Sequence, residues 1–211
     1  YVRASEEDTP FSRPVASGQG WTTVDTYAGE TPQYKWTNYY SEKGTISGKH
    51  VAYCDGQMFS GADGAGPREE ILLTPELDLD DTYQLSFDWK TSQVAFSAES
   101  LYDLQVRIVK NGDLANAETI FSIQNPEDLK ESGVTNFVGW QTQSSKLDLS
   151  EWKGQKVKIA FVYKMLTTNS NSMALDNVLV KQFTPATTPV GKLNLTSYDY
   201  GKMYLGEKFY T

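Results

Sequence analysis

The chain is short of the residues that most directly signal chemistry. Its 211 residues include one cysteine, Cys54, and one histidine, His50. That rules out an internal disulfide framework and leaves too few ligands for a Cys/His zinc site. A lone cysteine fits a cytosolic protein and equally a secreted bacterial one that does not rely on disulfides. No apolar run approaches the ~20 residues that span a bilayer, and residues 1 to 20 lack the apolar centre of a signal peptide. Basic residues are also few, 19 Lys and Arg against 27 Asp and Glu, for a net charge of -8 with no basic cluster. Phosphate binding rests on clustered Lys and Arg, so nucleic acid is not an expected partner.

What the chain does have is alternation. Tyr83, Leu85, Phe87 and Trp89 alternate with Gln84, Ser86, Asp88 and Lys90. Leu104, Val106 and Ile108 repeat the pattern, as do Val157, Ile159, Phe161 and Tyr163. Period two with one wet face marks antiparallel strands packed on a core. Shorter strands are expected over 20–25, 49–54, 70–73, 118–123 and 140–147, with Asn111-Gly112-Asp113 as a hairpin turn.

Helix signals are scarce. Asn125 followed by Pro126, Glu127 and Asp128 reads as one capped turn, and Asp148 to Gly154 as another. Strands without helices between them predict an all-β fold, a two-sheet antiparallel β-sandwich of jelly-roll type. It is expected to occupy residues 1–183. Residues 184–191, TPATTPVG, have linker composition, and 192–211 read as an appended β-hairpin or the start of a second module. Residues 54–69, with four glycines and one proline, form a long loop, a usual place for binding in a sandwich.

One stretch breaks the pattern. Met173 to Val180 is apolar at six of eight positions, yet Asp176 and Asn177 lie in its middle. Strict alternation puts Asp176 on the face of Ala174, Val178 and Val180, and Asn177 with Met173, Leu175 and Leu179. A carboxylate on an apolar face costs several kcal/mol, of order, unless a cation, an arginine or several N–H donors answer it. A bulge offering backbone N–H groups, an exposed edge and a bound cation are the candidate answers.

Several phrases, in order, resemble the cleaved-adhesin or choice-of-anchor J domains of Bacteroidetes surface and secreted proteins. They are Gly20-Trp21-Thr22-Thr23-Val24-Asp25, Gly48-Lys49-His50-Val51-Ala52, Ile71 to Leu79 (ILLTPELDL), Leu85-Ser86-Phe87, Asp148 to Gly154 (DLSEWKG), Val157 to Phe161 and Leu175-Asp176-Asn177-Val178. The resemblance implies a galactose-binding-like jelly roll, a secreted or cell-surface location and a binding rather than catalytic role. It also implies a structural calcium ion with Asp176 as ligand, for which Asp8 and Asp25 are the candidate partners, because a hard cation takes about six to eight oxygens. The family's second acid, from a Glu-x-Phe phrase in its first strand, is absent here, where Thr9-Pro10-Phe11 follows Glu7 and Asp8.

Aromatic residues supply candidate contacts. Tyr34, Trp36, Tyr39 and Tyr40 cluster, and Trp140 stands at the start of a strand. Flat rings stack on sugar faces, although tyrosine and tryptophan also build cores and rims. Catalysis has little support. Glu69 and Glu70 are neighbours on a strand and point to opposite faces, and no serine sits in a Gly-x-Ser-x-Gly elbow. The expectation is a monomeric, non-enzymatic extracellular module that binds a glycan or a host protein. A polysaccharide-active hydrolase or a structural spacer in a larger surface protein are the alternatives.

Overall fold

The fold is described by a computed structural model covering residues 2–3, 20–26, 36–40, 45–48, 50–54, 68–94, 102–165 and 171–184. The expected linker beyond Thr184, residues 192–211, most of the glycine-rich loop, Tyr34 and Asp8 lie outside the described residues.

Among the described residues twelve strands form two antiparallel sheets, and each long alternating segment lies within a strand that runs somewhat beyond it. In chain order they are β1 (Val2–Arg3), β2 (Thr22–Asp25), β3 (Thr37–Tyr40), β4 (His50–Cys54), β5 (Arg68–Leu73), β6 (Leu77–Leu79), β7 (Tyr83–Val94), β8 (Tyr102–Lys110), β9 (Glu118–Ser122), β10 (Phe137–Asp148), β11 (Gln155–Met165) and β12 (Met173–Gln182). One sheet runs β10-β7-β12-β4-β3 with β1 also on β12. The other runs β2-β5-β11-β8-β9 with β6 also on β11. Sequence neighbours mostly alternate between sheets, so nearly every pairing is long-range.

Turn chemistry sets the punctuation. Asn111 and Gly112 both take positive φ, 54° and 73°, which lets the chain reverse between β8 and β9. The side chain of Asn125 accepts a hydrogen bond from the Glu127 N–H at the start of a single turn, α1 (Pro126–Leu129). Ser150–Trp152 is a 3-10 turn ended by Gly154 at φ 79°.

The core lies between the sheets. Leu85, Phe87 and Trp89 of β7 face Leu104, Val106 and Ile108 of β8 and Val157, Ile159, Phe161 and Tyr163 of β11. Phe161 touches rings from both sides, Phe87 at 5.4 Å and Trp21 at 6.5 Å between centroids. Trp89 buries its indole with Nε1 donating to Ser145 Oγ at 3.0 Å, so the polar end of a large apolar group is satisfied. Adjacent glutamates diverge as strand geometry requires. Glu70 turns inward beside Arg68 (Nε to Oε1 3.6 Å), while Glu69 holds the Arg107 guanidinium through two bonds of 2.9 and 2.6 Å.

Candidate functional site

Asp176 is the key to the outer face of the β12 sheet. Strict alternation does not continue through it. Pairing of β12 with β7 shifts register between Asp176 and Leu179, and Asn177 takes φ 51°, a left-handed conformation that asparagine tolerates better than most residues. This bulge adds one residue to the strand. Met173 and Leu175 point into the core before it, and Val178 and Val180 do so after it. The expected sharing of a face between Asp176 and Val178 and Val180 is therefore corrected: Asp176 lies with Ala174 on the outer face. The 2-3-2 spacing of those four inward residues is the trace of the bulge in the sequence.

Although on the outer face, Asp176 is 0% exposed. The turn Thr45–Gly48 lies over it, closed by Thr45 N to Gly48 O at 3.0 Å. One carboxylate oxygen accepts from the Ser47 N–H at 2.9 Å and the other from the Asn177 N–H at 2.8 Å. Asp88 stands directly across on β7. Asp88 accepts from Asn177 Nδ2 at 2.7 Å and from the Ser144 hydroxyl. Burial, reinforced by the Asp88 charge, outweighs the two N–H bonds and lifts the Asp176 carboxyl to about 7. The site is thus a pair of facing carboxylates, one buried, that pins a turn against the sheet.

That turn forms one wall of a shallow groove of ≈ 240 Å³. Thr45 and Ile46 contribute from the turn, Tyr39 from β3, Val51 and Tyr53 from β4, Ala174 from β12, Lys90 from β7 and Trp140 from β10. Tyr39 and Tyr53 contact each other at 5.1 Å between ring centroids. Tyr39 and Trp140 are each 47% exposed, large aromatic surfaces left in solvent on opposite sides of one depression. Trp140 reaches it because β10 bulges between Val138 and Gln141, with Gly139 at φ 105°.

The other expected contacts are placed differently. Trp36 is 3% exposed and belongs to the core, its Nε1 donating to the Glu70 carbonyl at 2.9 Å. It is not part of the groove. Tyr40 ends β3 opposite His50, and its side chain is outside the description. Asp25 pairs with Glu70 in the other sheet from Asp176, its side chain likewise undescribed. Among the described residues, no three His, Cys, Asp or Glu groups come together as a metal cluster. Tyr53 and Lys90, which sequence reading passed over, join the groove because they alternate outward on β4 and β7.

Chemically the described residues of the groove offer stacking surface and one ammonium, and none of them is a carboxylate. Asp176 cannot flank a glycosidic bond with Asp88, since it is sealed beneath the turn. A second cleft of ≈ 760 Å³ opens between β9 and β10, lined by Glu118, Glu127, Asp128, Glu131, Asp148 and Glu151 among others. Four of these acids have local partners: Lys110, Lys130, the Ser122 N–H and the Ser150 N–H. No helix among the described residues is long and apolar enough to cross a membrane.

No family model and no curated protein matches the chain. Solved structures do. The K1 cleaved adhesin domain of Lys-gingipain from Porphyromonas gingivalis aligns at 17% identity over 82% of this chain and 96% of that domain, with a TM-score of 0.54. The K3 cleaved adhesin domain of the same protein aligns at 16% identity over 86% and 98%, TM-score 0.54. The carbohydrate-binding module TmCBM61, solved in complex with β-1,4-galactotriose, aligns at 8% identity over 87% and 100%, TM-score 0.53. The chain therefore has the jelly-roll fold of these cleaved adhesin and carbohydrate-binding domains.

Proposed function

We propose that the chain is a non-catalytic extracellular binding module whose groove between Tyr39 and Trp140 takes a glycan. The convergence of two half-exposed aromatic rings from distant strands on one depression carries this reading. Such rings offer a large flat apolar area beside a polar O–H or N–H, which suits the apolar face and hydroxyl edge of a sugar. The galactotriose complex of the structurally similar module supports a sugar as the ligand class. On a glycan array the native chain is expected to bind a subset of sugars, and Trp140→Ala to lose at least tenfold in affinity. Silence across the array, or unchanged binding by Trp140→Ala, overturns the reading.

The calcium ion expected at Asp176 remains part of the proposal. Asp176 and Asp88 present hard carboxylate oxygens on facing strands, the donor type calcium selects. Each Asp176 oxygen accepts one N–H, which leaves lone-pair capacity for a cation. A bound ion would neutralise the buried charge and hold the Thr45–Gly48 turn, and with it a groove wall. Chelation is expected to lower the melting temperature by several degrees at pH 8, because the ion binds only the folded chain. An unchanged melting curve in EDTA removes the ion.

A further inference from the structure

We infer that the sugar unit held in this groove is acidic and that Lys90 receives its carboxylate. The inference rests on the groove being a glycan site and adds the class of sugar. Lys90 sits on β7, inside the sheet rather than at its edge, and its cross-strand neighbours are Thr142 and Ala174, both uncharged. The side chain is half-buried and lines the groove with Tyr39, Tyr53 and Trp140. Lys110, Lys130, Lys153 and Lys164 each lie within 4.0 Å of an acid. Among the described residues no such ion pair involves Lys90, in a chain with 27 acids.

The carboxylates that share its face are already engaged. Asp88, two residues along β7 and so about 7 Å away, is held by Asn177 and Ser144. Asp176 is covered and bonded by two backbone N–H groups. Lys90 is therefore a cation walled by aromatic rings, with no counter-charge built beside it among the described residues. A neutral sugar would satisfy the rings and leave the ammonium with hydroxyl acceptors only. A uronic-type sugar satisfies both, its ring stacking while its carboxylate takes a charge-assisted hydrogen bond, roughly twice as strong as a neutral one. The groove, at ≈ 240 Å³, is smaller than the ~300–1,000 Å³ typical of whole-ligand pockets, which suits one unit of a chain.

Calorimetric titration with β-1,4-galactotriose and with α-1,4-trigalacturonate tests this. The native chain is expected to bind the acidic trimer about tenfold more tightly, with the advantage shrinking as salt is raised. Lys90→Gln should bind both trimers equally, and Lys90→Arg should keep the preference. Equal binding of the two by the native chain, or a preference that survives Lys90→Gln, overturns the role of Lys90 while leaving the groove intact. If neither trimer binds at all, or Trp140→Ala binds as the native chain does, the groove reading falls and this inference with it.

Discussion

In EDTA, the chain is expected to lose up to about 4 kcal/mol of folding stability through Asp176 as the pH rises from 4 to 8. The carboxyl titrates near 3.8 when unfolded and at about 7 in the fold. Between those values the folded state holds a proton that the unfolded state has released, so stability falls as pH rises. The contribution is complete below about pH 3.8 and gone once the pH passes through about 7. A displacement of this size, at ~1.4 kcal/mol per pH unit, sets the figure. Other groups shift the opposite way: Glu69 is held low by Arg107, and Asp81 is lowered to about 2 by Lys153. The Asp176 share is therefore read as the difference between the native chain and Asp176→Asn.

Asparagine removes the buried charge but can accept only one of the two N–H bonds, which returns about 1–3 kcal/mol of the gain. Asp176→Asn is thus expected to be about 1–3 kcal/mol more stable than the native chain at pH 8 in EDTA and less stable than it at pH 5. Denaturant unfolding at the two pH values measures this. Added calcium should restore the native chain at pH 8 and leave Asp176→Asn unaffected. Parallel pH slopes for the two proteins would show that Asp176 carries no displaced titration.

Phe161→Ala is expected to cost about 3–5 kcal/mol, lowering the melting temperature by on the order of 10 °C. Phe161 is fully buried near the middle of β11 and is one of the rings through which the two sheets meet, touching Phe87 of one and Trp21 beside the other. Truncation loses its transfer energy and leaves a cavity lined by two other rings, which stiff sheets cannot collapse to fill. Val138→Ala, at a site 80% exposed, serves as the control and is expected to change stability by less than about 0.5 kcal/mol. Comparable losses at the two sites would mean that the described core does not hold the sheets together.

The candidate site was legible in part. Tyr39 was identifiable as one of a cluster of aromatics and Trp140 as an aromatic at the start of an expected strand, and both line the groove. Trp36 carries the same residue type three positions from Tyr39, yet it is core. Residue type could not separate them, because an indole is equally at home against a sugar and against leucines. Lys90 gave no signal of its own, being one of four polar residues, with Gln84, Ser86 and Asp88, that alternate outward on an ordinary strand. Its interest comes from what stands around it.

Alternation alone determined that this protein is built of antiparallel strands with one wet face, because a period of two admits no other regular backbone. Turn residues at Asn111, Gly112 and Asn125 likewise act through their own φ and hydrogen bonds, so they could be read locally. Which strands are neighbours was decided only in three dimensions: Tyr39 and Trp140 are 101 residues apart and line one groove because β3, β4, β12, β7 and β10 lie side by side. The fate of Asp176 was decided there too. Its charge became a problem only when a distant turn closed over it, and burial is a property of the surroundings that a residue's own sequence does not carry.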